Sequence, residues 1–391
     1  MNYEQASLAT HERLRGKIGI ANKMELKTRD DLAIAYTPGV AEPCRVIAAD
    51  PAAARRLTIK GNSVAVVSDG SAVLGLGNIG GLASLPVMEG KAMLFKEYAD
   101  IDAWPIVLDT QDPDEIIATV RHLAPGFGGI NLEDIAAPQC FRIEEELQDL
   151  GIPVFHDDQH GTAIVLLAAL INAAKLVGKE IADLRVVING AGAAGTAIAR
   201  LIRCVGHEGS ACVSVAEVLV CDSKGIVHPG RSDLNAEKRA LLEYTNHRIR
   251  AGDLRDALVD ADVFIGVSKG NLLTGADIAL MGKDPIILAM ANPVPEIMPD
   301  VARAAGAAIV GTGRSDFPNQ VNNVLVFPGI FRGALDAGAA RITSAMKLAA
   351  ARALAEATSN PSHDAILPSV LDTTVAAKIA AATAAAYQPN S

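Results

Sequence analysis

Cysteine is scarce in this chain: Cys44, Cys140, Cys204, Cys212 and Cys221 are scattered over 391 positions, with no CxxC pair and no zinc-ligand spacing. That excludes a disulfide scaffold and a cysteine-built zinc site. An odd, dispersed set is expected to consist of small buried residues in a reducing compartment. Positive charge is also in deficit, with a formal net charge of -10. Such a chain has no broad field to attract nucleic acid or an anionic membrane, and neither partner is expected. It repels acidic substrates at long range too, so any small anion it binds must meet a local lysine, a metal or a helix N-terminus. Long apolar runs are missing. The most apolar stretch, from Thr162 to Val177, contains Asn172 and Lys175 and reads as a buried helix rather than a membrane span. The N-terminal residues are charged throughout with no apolar h-region, which points to a cytoplasmic protein. There is no internal repeat and no low-complexity linker.

What is present is a globular composition, half hydrophobic and one-fifth charged. The first part alternates short apolar runs with helical patterns. Strands are expected at Ser63 to Val67, Trp104 to Leu108, Gly129 to Leu132 and Ile152 to Phe155. Helices are expected at Met88 to Tyr98, Asp112 to Leu123 and Gln139 to Leu150. This order implies an α/β domain with a parallel sheet. A long helix then runs from about His160 to Val177. It is followed by a strand at Leu184 to Asn189, a glycine-rich turn, a helix from about Ala193 to Cys204 and a strand at Val218 to Cys221. Strands at Val263 to Gly266, Ile286 to Met290 and Ala307 to Val310 complete a Rossmann-type doubly wound pattern. The division is therefore expected at 1-159 for an N-terminal catalytic domain and 160-391 for a nucleotide-binding domain with alanine-rich C-terminal helices.

Gly190, Gly192 and Gly195 form GAGAAG directly after a strand and at the mouth of a helix. The glycines permit the tight turn, the approach of a pyrophosphate and close helix packing. The free N–H groups of Ala193 and Ala194, opening the helix, would face the phosphates. The following strand ends in Asp222, whose carboxylate suits a ribose 2′-hydroxyl and so favours NAD. Lys224 and Arg231 are close enough in sequence to neutralise a 2′-phosphate, which keeps NADP open. A second set, Gly75, Gly77 and Gly80, follows no clear strand and has no acid after it, so it reads as a structural loop. Two acidic pairs, Glu133-Asp134 and Asp157-Asp158, each follow a strand. Carboxylates gathered at the carboxyl ends of parallel strands need a cation or shared protons, and oxygen ligands suit Mg²⁺ or Mn²⁺. His156 and His160 beside them read as structural.

Seven motifs extend this picture: YTPGVA (Tyr36 to Ala41), SDGSAVLGLGNIG (Ser68 to Gly80), PVMEGKAMLFK (Pro86 to Lys96), NLEDI (Asn131 to Ile135), FHDDQHGTA (Phe155 to Ala163), ANPVPE (Ala291 to Glu296) and NQVNNVLVFPG (Asn319 to Gly329). In this order they resemble the malic enzyme family, in its short bacterial form. The resemblance implies oxidative decarboxylation of (S)-malate to pyruvate and CO₂ with NAD or NADP and a divalent ion, by a homodimer; oxaloacetate decarboxylation is a possible side activity. It implies Tyr36 and Lys91 as catalytic residues, Lys91 acting as a neutral base, with Asp157 the lysine's acidic neighbour. Glu133, Asp134 and Asp158 are then the metal ligands, and Asn292, Asn322 and Asn323 contact substrate. One position departs from the larger animal-type enzymes: Ala72 stands where they carry a carboxylate-gripping arginine, which leaves the group that binds the C1 carboxylate open. On the residues alone, a dehydrogenase for another hydroxy acid and a non-catalytic nucleotide-binding protein stay as alternatives.

Overall fold

The structure, a computed structural model, describes residues 2–73, 75–207 and 212–388. Its N-terminal part begins with three helices, α1 (Tyr3–Leu14), α2 (Arg29–Ala35) and α3 (Ala41–Ala49), and a single turn, α4 (Ala54–Leu57). None of the described residues before Ala53 is buried. A four-stranded sheet follows, built from β1 (Ser63–Ser68), β2 (Asp102–Val107), β3 (Gly129–Leu132) and β4 (Val154–His156), with the order β2-β1-β3-β4 and all neighbours parallel. The connections are α5 (Gly80–Ala99), α6 (Pro113–Leu123) and α7 (Gln139–Glu146). Side chains alternate along β1 as a pleated strand requires. Val64 and Val66 join a core with Met88 and Phe95 of α5, while Ala65 and Val67 join Ile116 and Val120 of α6 and Ile143 of α7 on the other face.

Helix α8 (Asp157–Leu176) leads into a six-stranded sheet. Its strands are β5 (Arg185–Asn189), β6 (Glu217–Asp222), β7 (Gly225–Ile226), β8 (Val263–Gly266), β9 (Ile286–Ala289) and β10 (Ile309–Thr312), in the order β10-β9-β8-β5-β6-β7. All pairs are parallel except the short hairpin of β6 and β7. Helix α9 (Ala193–Ile202) lies with α8 on one face. Helices α10 (Ala236–Leu241), α11 (Leu254–Leu258), α12 (Gly275–Ile278) and α13 (Pro299–Ala304) follow, and residues of α11, α12 and α13 fill the core of the opposite face. The chain leaves β5 for β6 on one side and returns to β8 on the other. The β5–β8 gap is therefore a topological switch point, where a ligand can lie across the strand ends.

Both expected sheets are present, and the strand ends shift by only a few residues. Helix α8 starts at Asp157, three residues before the expected His160, because the two aspartates occupy its first turn, where carboxylates are favoured. The expected division at 159/160 thus falls inside this helix. By length and composition α8 could cross a membrane, but nearly three-quarters of it is buried in the protein core. The chain closes with α14 (Phe327–Asp336), α15 (Ser344–Ala357) and α16 (Thr374–Ala385). Helix α14 returns to the first sheet. Phe331 meets Phe95 edge-on at 5.3 Å and Phe155 at 5.8 Å, and Phe327 meets Phe95 at 4.8 Å. The largest hydrophobic cluster therefore contains residues of both sheets.

The cysteines depart from the expectation of five buried thiols. Cys140 and Cys221 are buried, but Cys44 is exposed, and Cys204 is disulfide-bonded to Cys212. Cys204 adopts a left-handed conformation just past the end of α9, and the two Cα atoms lie 5.8 Å apart. Phe331→Ala tests the shared core. It should cost about 3–5 kcal/mol of stability in chemical denaturation; a loss below about 1 kcal/mol would contradict this packing.

Candidate active site

The carboxyl ends of β3 and β4 lie side by side because Leu132 pairs with His156. Glu133 and Asp134 therefore leave the sheet next to Asp157 and Asp158, which open α8. Asp134 sits in the left-handed region at φ 54°. That turn lets its N–H donate to Asp158 Oδ2 at 2.8 Å and its carbonyl accept from the Ala72 N–H at 2.9 Å. One oxygen from each of Glu133, Asp134 and Asp158 lies within 4.8 Å of the other two. Burial, and then the neighbouring carboxylates, push the Asp134 carboxyl up to about 9. Burial likewise raises Glu133 to about 7, Asp157 to about 7 and Asp158 to about 6, with Lys91 working against the rise in each. Asp134 Oδ2 is buried with no hydrogen-bond partner. Crowded oxygen donors with an orphaned atom are what a hard divalent ion requires, so the residues fit Mg²⁺ or Mn²⁺.

Lys91 reaches this cluster from α5. Its Nζ lies 2.6 Å from Asp157 Oδ2 and 2.9 Å from Glu133 Oε1, and 4.2 Å above the Phe327 ring. Asn323 donates to the same Asp157 oxygen at 2.6 Å, and Asn131 donates to Glu133 Oε2 at 2.8 Å. Burial acts to lower the lysine's pKa, but the two carboxylates outweigh it and the net shift is upward. The neutral base that the resemblance implies is thus not the resting state of this pair of contacts. A divalent cation shared with Glu133 would supply the missing lowering influence.

A cleft of about 750 Å³ opens beside the cluster, lined by Asp134, Asp158, Asn292, Asn322 and Asn323 on one side and by Gly192, Ala193 and Ala194 on the other. The glycine-rich turn joins β5 to α9. Gly190 has φ 131°, and a Cβ there would come within 2.7 Å of the Val267 carbonyl. A Cβ on Gly195 would sit 1.7 Å from the Gly190 carbonyl, so helix and strand could not pack as they do. At Gly192 nothing lies within 4 Å, which leaves room for a pyrophosphate against the backbone. The cleft therefore brings a nucleotide cradle and a carboxylate-lysine cluster to one place.

Residues 15–148 match the model of the malic enzyme N-terminal domain, and residues 159–387 that of the malic enzyme NAD-binding domain. The chain belongs to the malic enzyme family. It is 54% identical over 390 residues to the bifunctional malic/malolactic enzyme of Bacillus subtilis (strain 168), covering 99% of this chain and 93% of that one. With the NADP-dependent malic enzyme of Escherichia coli (strain K12) it shares 48% over 356 residues, 90% of this chain but 46% of the relative. The crystal structure of the NAD-dependent malic enzyme from Thermotoga maritima superposes with a TM-score of 0.92 at 48% identity, over 96% of this chain and 98% of that one.

Set against the malic enzyme pattern, most expected positions converge and two do not. Tyr36 caps α2, is 69% exposed and is absent from the cleft lining. Asp222 is at the expected strand end, but its carboxylate is already engaged. Arg231 grips it with two bonds of 2.8 and 2.9 Å, and Lys238 donates at 2.6 Å. Burial opposes its charge, yet Arg231 and then Lys238 hold its carboxyl down to about 2. The loop of Gly75 and Gly77, expected to be structural, lines the cleft opposite Asn292 and Pro293.

Sequence reasoning passed over several residues. Asn131 and Phe327 lay inside quoted motifs without a role. Lys269, just after β8, lines the cleft as a cation. Glu144, in the middle of α7, carried no local signal. It is buried, accepts from the His156 N–H and Gln159, and pairs with His160 at 2.9 Å.

A carboxyl with a higher pKa folded than unfolded binds protons more tightly in the folded chain. Stability without a divalent ion should therefore fall as pH rises from about 4 through the range of 6 to 9 spanned by these groups. Melting with and without Mn²⁺ should show a larger stabilisation by the ion at pH 8.5 than at pH 6. An equal effect at both pH values would count against the cluster.

Proposed function

We propose that the cleft carries out the oxidative decarboxylation of (S)-malate to pyruvate and CO₂, with reduction of NAD or NADP and dependence on Mg²⁺ or Mn²⁺. The observation that carries this reading is the buried contact of Lys91 with both Asp157 and Glu133, behind the Asp134, Asp158 and Asn323 side of a cleft whose other side is the glycine turn. Glu133, Asp134 and Asp158 would hold the divalent ion, which when bound neutralises the substrate dianion and polarises its C2 oxygen. Gly190, Gly192, Ala193, Ala194 and Gly195 would hold the dinucleotide, whose nicotinamide takes up the hydride. Lys91 removes the proton of the C2 hydroxyl, and Asp157 orients the ammonium and stabilises it once formed. Asn323 fixes Asp157 from the far side. Tyr36 protonates C3 after CO₂ has left. With Ala72 in place of a cation, the amides of Asn292 and Asn322 and the ammonium of Lys269 are the cleft groups suited to the substrate carboxylates. The same arrangement would decarboxylate oxaloacetate supplied directly. The reading is of a cytoplasmic homodimer acting on small molecules, with no nucleic acid or membrane partner; α8, the one apolar helix of membrane length among the described residues, is a core helix.

The test is a malate assay with Mn²⁺ that measures CO₂ and NAD(P)H together. One CO₂ per reduced nucleotide supports the reading. Reduced nucleotide without CO₂ would make the protein a simple dehydrogenase, and CO₂ without net reduction would make it a malolactic decarboxylase. Lys91→Ala should lower kcat at least about 100-fold, within the usual range for a general base, with nucleotide binding kept; near-normal turnover would remove the lysine from the mechanism.

Asp222 gives a separate outcome. A free carboxylate there would accept from a ribose hydroxyl and repel a 2′-phosphate. Arg231 and Lys238 now spend their charge on it. Asp222→Ser should free Lys238, leave Arg231 with Asp233 alone and shift the ratio of kcat/KM for NADP over NAD upward by about 10-fold or more, the size of one charge-assisted contact. An unchanged ratio would show that this strand end does not read the 2′ position.

A further inference from the structure

Residues 3–49 form an arm without a core of its own. Helices α1, α2 and α3 contain no buried residue, although Ile18, Ile20, Met24, Leu26, Leu32 and Ile34 are all large and apolar. Isolated helices of this length are marginal in water and draw their stability from packing. The arm touches the rest of the chain sparsely. The Lys17 N–H donates to Glu89, its ammonium donates to the Pro86 carbonyl, and Lys23 pairs with Asp102. The first two fall on α5, the helix that carries Lys91, and the third on Asp102 at the start of β2. The outer side of α5 adds Leu82 (83% exposed), Val87 and Met93, and the nearby glycine loop adds Leu76. Exposed apolar side chains therefore occur on the arm, on α5 and on the loop whose Gly75 and Gly77 line the cleft.

Area says how much is uncovered. A folded monomer of 40.6 kDa is expected to expose about 14,600 Å², whereas this chain exposes 18290 Å². The excess of about 3,700 Å² per chain, about 7,400 Å² for a pair, is more than enough for the roughly 2,000–5,000 Å² that obligate homodimers bury in total. Charge points the same way. Arg13 to Arg29 carries six cations and one carboxylate, on a chain whose total is -10, so the arm's natural counterpart is the acidic body of the same protein. At the site, meanwhile, the proposed reaction calls for a tyrosine, and among the described residues none lines the cleft.

We infer that the arm is exchanged between two copies of this chain, so that each active site receives Tyr36 from its partner. A two-fold arrangement satisfies both copies at once: each arm covers the other body's α5 surface, and the apolar side chains of both are covered. The inference rests on the role proposed above for Tyr36. An isolated chain, with Lys91 and the carboxylates in place, would hold a site that lacks its C3 proton donor.

Mixed dimers test it. Chains carrying Lys91→Ala and chains carrying Tyr36→Phe are co-expressed with different tags, and the heterodimer is isolated by both tags in turn. Lys91→Met replaces the alanine if that chain does not fold; Tyr36 is exposed, so its change leaves the fold alone. With exchange, one of the two sites in the heterodimer receives an intact Lys91 and an intact Tyr36. Its turnover should be about half that of wild type, while both parent homodimers are inactive. A heterodimer as inactive as its parents overturns the exchange and leaves Tyr36 acting within its own chain. If Tyr36→Phe homodimers turn over malate at the wild-type rate, the role of Tyr36 fails instead, and the exchange fails with it. A chain found monomeric by light scattering under assay conditions also overturns the inference.

Discussion

The lysine ammonium held between Asp157 and Glu133 is the contact on which the other features of the site converge. It exists because α5, packed on β1 and β2, extends Lys91 to the residues that leave β3 and β4, which places a buried cation against a group of carboxylates that could not otherwise stay ionised together. One cation is not enough for four acids. Asp134 keeps a buried oxygen unpaired, and its carboxyl is the most strongly displaced of the four. Half-neutralised clusters of this kind cost stability and are retained where a ligand completes them. The same shortage of positive charge that would repel malate from the surface makes a bound divalent ion the natural entry point for a dianion.

The two sheets are joined so that this cluster faces the nucleotide. Helix α8 begins with two of the acids and ends deep in the second half, so the acids and the glycine turn are fixed relative to one another through a continuous core. Helix α14 adds a second tie, with Phe327 lying under the lysine and Phe331 wedged against Phe95 and Phe155. A hydride transfer needs reacting atoms held to within a fraction of an ångström, and a shared aromatic core provides that rigidity.

Much of this was legible from residues close together in the chain. Strand ends followed by acids, a strand followed by GAGAAG, and apolar alternation along β1 are local patterns with local causes. The failures share a different origin. Asp222 was readable as an acid at a strand end, but Lys238 reaches it from 16 positions away and takes its charge. Cys204 and Cys212 are bonded across eight positions, a pairing that no spacing rule demanded. The balance that decides the proton on Lys91 depends on burial and on two carboxylates from other elements, and only packing sets it. Tyr36 stands in a quoted motif, yet its chain position says nothing of its distance from the cleft, which depends on what covers the arm.

The central claim is that the carboxylate cluster is completed by a divalent ion, and proton release on binding tests it most directly. Mn²⁺ is titrated calorimetrically into the protein at pH 7 in two buffers of different ionisation enthalpy. Because Asp134 is raised to about 9 and Glu133 to about 7, binding should take one ion per chain and displace protons into the buffer, with Asp134→Asn releasing fewer. Failure to bind Mn²⁺, or binding whose heat is the same in both buffers, would contradict the account.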